Sequence, residues 1–373
     1  MTDKNYEEFL EITGTSRNFV ENINDFLLDH NCKREIKTAK SGFTVSYLFP
    51  NAKKTLATFV CRKTGIKIRI FPQRLNEYMD FLDILTKKRN GIKLTKQEID
   101  FFITGVTNGI IPDYQISAFL MAIYFQSLDE EEIAHMTLAM ANSGEILNLS
   151  SIPGFKVDKH STGGVADTTT LILAPLVASV GIPVIKMSGR GLGFSGGTID
   201  KLESIPNFNV EVSQQQALQW ANQSNIVIMG QSKNLTPADR ILYALRDVTA
   251  TVESIPLIAS SIMSKKIASG ADGIVLDVKC GNGAFMKTLE DAQKLGKCMA
   301  SMGRHIGKKV TVVISSMSQP LGNYIGNRLE VIEAIETLKG NIGGDLLAVS
   351  LTLGANMLLL SGKVSTEQQG KEL

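Results

Sequence analysis

The sequence predicts an α/β protein: a helical domain and an α/β domain with a largely parallel mixed sheet, preceded by a small α+β unit. Three observations carry this. From Phe155 onward, short β-like runs ("FKVDK", "IPVIKM", "NIVIMG", "GIVLDVK", "VTVVIS") alternate with helical runs, as in sheets built from strand–helix–strand crossovers. From about Met79 to that point the pattern is helical and carries helix-start signals. Before Met79, one helical stretch is followed by β-rich runs separated by turn or polar residues.

Taken in order, the N-terminal unit (1–78) holds the helical stretch "EEFLEITGTSRNFVENINDFLLDH", then "GFTVSYLF", "LATFVCRK" and "IKIRIFP". Lys and Arg punctuate these strands, which reads as a solvated face, and the unit offers no catalytic constellation. The helical domain (79–150) contains "LTKQEIDFF", with Thr95 and Glu98 at capping-box spacing, and "SLDEEEIAHM", where Ser127 and Glu130 repeat the device. Asp113 is the expected N-cap of the apolar helix between them. Met121, Ile123 and Phe125 read as core or dimer surface. The α/β domain is assigned to 151–235 and 269–373.

Composition excludes several classes. The 373 residues are 43% hydrophobic and 20% charged, which fits a folded globular chain and not a disordered one. A net charge of +2 gives no reason to expect nucleic acid as a partner. Cys32, Cys61, Cys280 and Cys298 have no paired spacing, so they read as reduced thiols of a cytoplasmic protein. The N-terminus lacks a signal peptide's apolar run, and apolar stretches such as "LILAPLVASVGIPVI" are broken by Pro and Gly and too short to span a membrane.

Chemistry concentrates in three segments. "VDKHSTGGVADTTTL" places Lys159, His160 and Ser161 at a strand end, ahead of a Gly pair and of Asp167 as helix N-cap. "SGRGLGFSGGTID" (188–200) has five glycines in thirteen residues, the density expected where a ligand approaches the backbone, with Ser188 and Thr198 at its ends. Gly-rich turns that lead into helices bind phosphate, but neither segment is a Walker A or dinucleotide fingerprint. In "LYALRDVTATVESIPLIASSIMSKKIASG", Tyr243 and Arg246 lie one turn apart, and Ser261 and Lys265 share a face of a helix starting near Pro256. Such groups can read the edge of a planar base.

These segments, with "KMSGRGLGFSGGTIDKLESIP" and "DVKCGNGAF", closely resemble the thymidine/pyrimidine-nucleoside phosphorylase family from near Met79 almost to the end. The resemblance implies a pentosyltransferase that splits a nucleoside with inorganic phosphate into a pyrimidine and a pentose 1-phosphate, with no organic cofactor. It implies phosphate contacts at Lys159, Ser161, Thr170, Ser188 and Thr198. It implies base contacts at His160, Tyr243, Arg246, Ser261 and Lys265, of which His160, Arg246 and Lys265 act in catalysis. It implies a potassium ion at Ala166, Thr168, Leu321, Tyr324 and Glu333, in part through carbonyls. It also implies that 236–268 returns to the helical domain, that the two domains close over the cleft, and that the chain is a homodimer through its helical domain.

The chain departs from the family pattern at several places. Phe194 stands where the family has a histidine associated with closure, Ala166 where it has glycine, and Ser316 where aspartate is common. Residues 1–78 are foreign to the family, and its C-terminal α+β segment is expected to be missing, leaving an apolar face uncovered near "LAVSLTLGANMLLL". Three readings follow: an active phosphorylase, a weak or inactive homologue that acts as a binding protein, and a phosphoribosyltransferase of related fold. The last would need an acidic pair for magnesium, and the sequence offers no matching one. The preserved base and phosphate positions favour the first.

Overall fold

The structure is a computed structural model that describes residues 17–29, 32–39, 42–48, 55–62, 65–70, 80–191, 196–232 and 234–373. The chain forms two compact units, Met1–Asp80 and Phe81–Leu373.

In the first unit, helix α1 (Arg17–Asp29) accompanies an antiparallel meander of β1 (Lys33–Ala39), β2 (Gly42–Leu48), β3 (Thr55–Arg62) and β4 (Gly65–Ile70). Helical spacing puts Val20, Asn24 and Leu27 on the buried side of α1, and period-two alternation buries Val45 and Tyr47 on β2. The buried Asn24 is satisfied by the Tyr47 hydroxyl at 2.7 Å and by Arg34 at 2.9 Å. Strand β1 is absent from the sequence reading. Its "KREIKTA" is mostly charged, and its partner is fixed by the pairing Ile36–Val45, not by its own pattern.

The second unit begins with four helices: α2 (Phe81–Arg89), α3 (Lys96–Thr107), α4 (Asp113–Gln126) and α5 (Glu130–Ala141). Phe81, Phe102 and Phe119 meet at their centre, the last two rings 4.4 Å apart. The Thr95–Glu98 capping box forms. The second box is shifted by two residues from its expected place: Asp129, not Ser127, caps α5, with Glu132 as its partner. Pro112 precedes α4 as N-cap, so Asp113 is its first helical residue, where a negative charge still suits the helix dipole. Ile123 is core, whereas Met121 and Phe125 line an open groove with Leu82 and Leu85.

The sheet of this unit runs β7-β6-β5-β8-β9, and every pairing is parallel. Its strands are β5 (Val157–Ser161), β6 (Val184–Ser188), β7 (Ile226–Gly230), β8 (Gly273–Cys280) and β9 (Lys309–Ser316). The linking helices are α6 (Thr169–Ser179), α7 (Thr198–Glu203), α8 (Gln214–Ser224), α9 (Pro237–Val248), α10 (Ile255–Ala268) and α11 (Leu289–His305). The chain ends with α12 (Asn327–Leu338), α13 (Asp345–Ser361) and α14 (Glu367–Glu372). One sheet face packs Val157, Val184 and Val275 against α6 and α13. The other packs Ile185, Met187, Val227 and Met229 against α8 and the 147–152 segment. Both faces are covered, as parallel sheets require. Helices α9 and α10 pack on α3, α4 and α5, and α10 also meets α11.

The stretch "LAVSLTLGANMLLL" is not an uncovered face. It forms α13, whose Leu353, Met357 and Leu358 are buried in the core, and α14 packs so closely on it that only glycine fits at 370 against Ala355.

Strand order reverses between β5 and β8, because the chain leaves β5 toward β6 and leaves β8 toward β9. In parallel sheets that switch point opens a crevice at the carboxyl ends of the strands.

One buried ion pair locks the helical layer. Glu132 accepts Lys88 Nζ and Leu94 N–H, each at 2.8 Å, and Asp129 N–H at 2.9 Å. Both side chains are buried. Glu132→Ala should therefore cost roughly 3–5 kcal/mol, because it strands a buried ammonium. The paired change Lys88→Met with Glu132→Leu should cost much less. Urea unfolding of the two variants tests this, and equal losses would refute it.

Candidate active site

Buried charge concentrates on β5 and β8, the two strands at the switch point. Lys159 on β5 is 1% exposed, and its Nζ donates to Thr169 Oγ1 at 2.6 Å. It also lies 3.7 Å from Asp277 and 3.9 Å from Asp167. Lys279 pairs with Asp277 at 2.7 Å and donates to Ser315 at 3.0 Å. Burial pulls Lys159 below the usual lysine range. Burial acts the same way on Lys279, but Asp167 and Asp277 outweigh it and hold that group above the range.

Asp167 is the hub of this cluster. It accepts the hydroxyl of Ser161, and Thr169 Oγ1 donates to it at 2.7 Å. Burial alone would raise its carboxyl, yet Lys159, Lys279 and the two hydroxyls hold it well below the usual range. It is not the N-cap of α6; Thr168 is. Thr170, the expected phosphate contact, is buried on the first turn of α6, while its neighbour Thr169 meets Lys159.

Ser188 ends β6, and Ser161 ends β5. Each lies four residues beyond the paired residues Val157 and Val184. Thr198 opens α7. Phe194 lies outside the described residues. The ends of the Gly-rich loop are drawn together by Asp200, which accepts Gly191 N–H at 2.6 Å and Gly197 N–H at 2.8 Å. A Cβ at 197 would sit 2.4 Å from Gly191 N, so close backbone approach explains that glycine. Those two amides serve Asp200.

A second carboxylate, Asp158, joins three segments. Its Oδ2 accepts Lys266 Nζ at 2.8 Å, and its Oδ1 accepts Lys159 N–H at 2.7 Å and lies 3.8 Å from Lys186 Nζ. Lys266 also reaches Met187 O at 3.4 Å, one residue before Ser188. Burial and the neighbouring Lys266 push Lys186 well below its usual value.

Tyr243, Arg246, Ser261 and Lys265 come together on α9 and α10. Arg246 Cζ and Lys265 Nζ lie 5.4 and 5.7 Å from the centre of the Tyr243 ring. Lys265 donates to Ser261 at 3.1 Å and pairs with Asp239 at 2.5 Å. Arg246 is 2% exposed and donates to the carbonyls of Thr251, Val252 and Leu257. Three of its five N–H groups thus hold the α9–α10 turn, which leaves two for a ligand. His160 stands within the field of both halves: burial, then Lys266, Lys186, Lys265 and Lys159, keep its imidazole well below the ordinary 6.5.

The expected potassium positions also converge. Leu321 N–H donates to Val165 O at 3.1 Å, which brings the 165–168 and 321–324 loops together. Glu333, 0% exposed, accepts Asn323 N–H at 2.7 Å and Tyr324 N–H at 3.2 Å. Thr168 Oγ1 donates to Glu330 at 3.4 Å, and Glu330 pairs with Lys201 at 2.8 Å. Both carboxylate oxygens of Glu333 thus already accept backbone N–H groups of the 321–324 loop. Ala166, which stands where the family pattern has glycine, has φ 54°, in the left-handed region that favours glycine. Ser316 is exposed at the end of β9.

The sequence reading omitted Asp158, Asp167 as a ligand hub, Lys186, Asp239, Lys266, Asp277 and Lys279. Alternating Asp277 and Lys279 in the otherwise apolar "GIVLDVKC" was the available signal.

Comparison with known proteins places this geometry. Residues 82–144 match the profile of "Glycosyl transferase family, helical bundle domain", and 154–373 that of "Glycosyl transferase family, a/b domain". The fold resembles anthranilate phosphoribosyltransferase from Thermus thermophilus, with a TM-score of 0.65 and 19% identity over 79% of this chain and 93% of that one. At that identity the likeness is one of fold. The pyrimidine-nucleoside phosphorylases of Staphylococcus haemolyticus and Geobacillus stearothermophilus are 61% and 60% identical to it over 295 residues, 79% of this chain and 68% of each relative. The chain belongs to the glycosyl transferase family that contains these pyrimidine-nucleoside phosphorylases.

Two outcomes follow. The folded His160 resists a proton that the unfolded one accepts near 6.5, so stability should fall as pH drops below that value, by up to about 1.4 kcal/mol per pH unit from this group. His160→Gln should flatten the slope, measured from urea midpoints between about pH 7 and 5.5. Ala166→Gly should relieve left-handed strain and raise stability by about 0.5–1 kcal/mol, net of one lost buried methyl. A loss of stability would show that residue 166 is unstrained.

Proposed function

We propose that this chain is a pyrimidine-nucleoside phosphorylase, which converts uridine- or thymidine-type nucleosides and phosphate to free base and pentose 1-phosphate in nucleoside salvage. The observation that carries the reading is the buried Asp158–Lys266 bond of 2.8 Å, which ties α10, the helix of Ser261 and Lys265, to β5, the strand of Lys159, His160 and Ser161. One charged cluster suits phosphate and the other suits a pyrimidine, and Asp158 of β5 joins them.

Phosphate is held by Lys159, Ser161, Ser188 and Thr198, with Thr170 or its neighbour Thr169. The base lies against Tyr243, with Arg246, Ser261 and Lys265 on its polar edge. As the glycosidic bond lengthens, positive charge grows on the sugar and negative charge on the base. The phosphate dianion stabilises the first, and the Arg246 and Lys265 cations the second. His160 is neutral at pH 7, so it serves as a hydrogen-bonding partner of the base. Closure of the helical domain (79–150 with 236–268) over the α/β domain (151–235 and 269–373) excludes water and favours phosphorolysis over hydrolysis.

A potassium ion held by the carbonyls of Ala166, Leu321 and Tyr324 with Thr168 and Glu333 would brace the loop carrying Asp167. The groove of Leu82, Met121 and Phe125, with Phe125 75% exposed, supports a homodimer through the helical domain.

The test is a phosphate-dependent assay for uracil or thymine release. Lys159→Ala should weaken phosphate by roughly 1.5–3 kcal/mol, the strength of one charge-assisted hydrogen bond. Lys265→Met should lower turnover at saturating phosphate while phosphate affinity holds. Arg246→Ala is the poorer probe, because its carbonyl contacts hold the helix turn together. A Lys265→Met variant that loses phosphate affinity but keeps its turnover would move Lys265 to the other half of the site.

A further inference from the structure

The phosphate half of the site already contains an anion. Asp167 accepts the Ser161 hydroxyl and the Thr169 hydroxyl, and it sits 3.9 Å from both Lys159 and Lys279. It stands just before α6, where it also accepts Thr169 N–H at 3.4 Å. A helix N-terminus flanked by lysines and hydroxyls is where a phosphate would go. The donor inventory is restrictive. A serine hydroxyl has one proton, so Ser161 cannot donate to Asp167 and to phosphate together. Thr169 likewise spends its proton on Asp167 while it accepts from Lys159. Two ammonium groups, Lys159 and Lys279, face two carboxylates, Asp167 and Asp277, so their positive charge is internally answered.

The geometry points to Asp167 as a built-in competitor for phosphate: its carboxylate holds the Ser161 hydroxyl, and phosphate must take that donor from it. This rests on the phosphate site proposed above and adds a residue that sets affinity there. A competitor of this kind keeps phosphate affinity moderate. It also takes the donors back when pentose 1-phosphate leaves, so release is assisted by an acceptor already in place.

The sign of the effect separates this role from ordinary support. Asp167→Asn keeps shape and one acceptor oxygen but removes the charge. If Asp167 only braces the loop, phosphate should bind more weakly. If it competes, phosphate should bind more tightly, by about three- to tenfold, the size of one screened like-charge contact.

The experiment is calorimetric titration of inorganic phosphate into the full chain, Asp167→Asn and Lys159→Ala. Tighter binding in Asp167→Asn and weaker binding in Lys159→Ala is the expected pair. Weaker or unchanged binding in Asp167→Asn, with Lys159→Ala weakened, overturns the competitor and leaves the site intact. Unchanged binding in Lys159→Ala overturns the site itself. Should Asp167→Asn fail to fold, a crystal structure of the unaltered chain with phosphate decides. Ser161 Oγ should then donate to phosphate and lie more than about 3.5 Å from Asp167, beyond hydrogen-bond reach. A Ser161–Asp167 bond that persists beside bound phosphate overturns the proposal.

Discussion

Burying ammonium groups is the constraint on which this structure depends. Lys159, Lys186, Lys201, Lys266 and Lys279 are each at most 5% exposed, and all belong to the α/β core or its lining. An unpaired buried charge costs several kcal/mol, so each must meet a carboxylate or a set of oxygens. Asp158, Asp167, Asp277 and Glu330 are those partners. The sheet delivers them: Asp158 and Lys159 are adjacent on β5, and Asp277 and Lys279 share a face of β8, its parallel neighbour. The strand register is thereby fixed by charge as well as by apolar packing, because a slip of one residue would turn Asp277 and Lys279 to the wrong face.

Such an arrangement is costly for stability and useful for chemistry. Apolar residues of similar volume would hold the strands together at least as well. What they could not supply is positive potential in a dry crevice, where it acts on a phosphate or a departing base far more strongly than it would in water. The surplus is local. Asp158 faces both Lys186 and Lys266, and burial with Lys266, Lys186, Lys265 and Lys159 holds His160 well below the ordinary imidazole range.

Much of the fold was legible in the sequence because its signals are local. Parallel strands buried on both faces read as apolar runs, and all five were visible. Strand β1 was not, because its "KREIKTA" is mostly charged and its place is set by pairing with β2, where Ile36 lies opposite Val45. The capping box slid from Ser127 to Asp129 because "SLDEEE" offers two overlapping solutions. Asp129 wins because its partner Glu132 also answers the buried Lys88, a contact 44 residues away in sequence. The same limit applies to the site. Lys159, Ser161, Arg246 and Lys265 lie in motifs whose spacing is informative. Asp158, Asp167 and Asp277 matter through contacts made across the sheet, and nothing in their own neighbourhoods shows which lysine each will meet. Ala166 lies between these cases: the glycine of the family pattern at that position raises the question of a positive φ, and the structure answers it with 54°.

Asp158 also constrains how the two halves of the site can move. Its Oδ2 holds Lys266 and, at 3.4 Å, Ser269, both at the C-terminal end of α10, while Ser261 and Lys265 lie up to two turns earlier on the same helix. The sheet therefore grips α10 at one end, and Ser261 sits on the arm beyond the grip. Sliding the helical layer across the sheet would break a buried, doubly bonded carboxylate. Rotation about that point would not, and it would carry Ser261 through a larger arc than Lys266. For the closure proposed above, a pivot at Asp158 lets the Ser261 end of α10 swing relative to β5 while Lys186 and Lys266 at the pivot keep their partner.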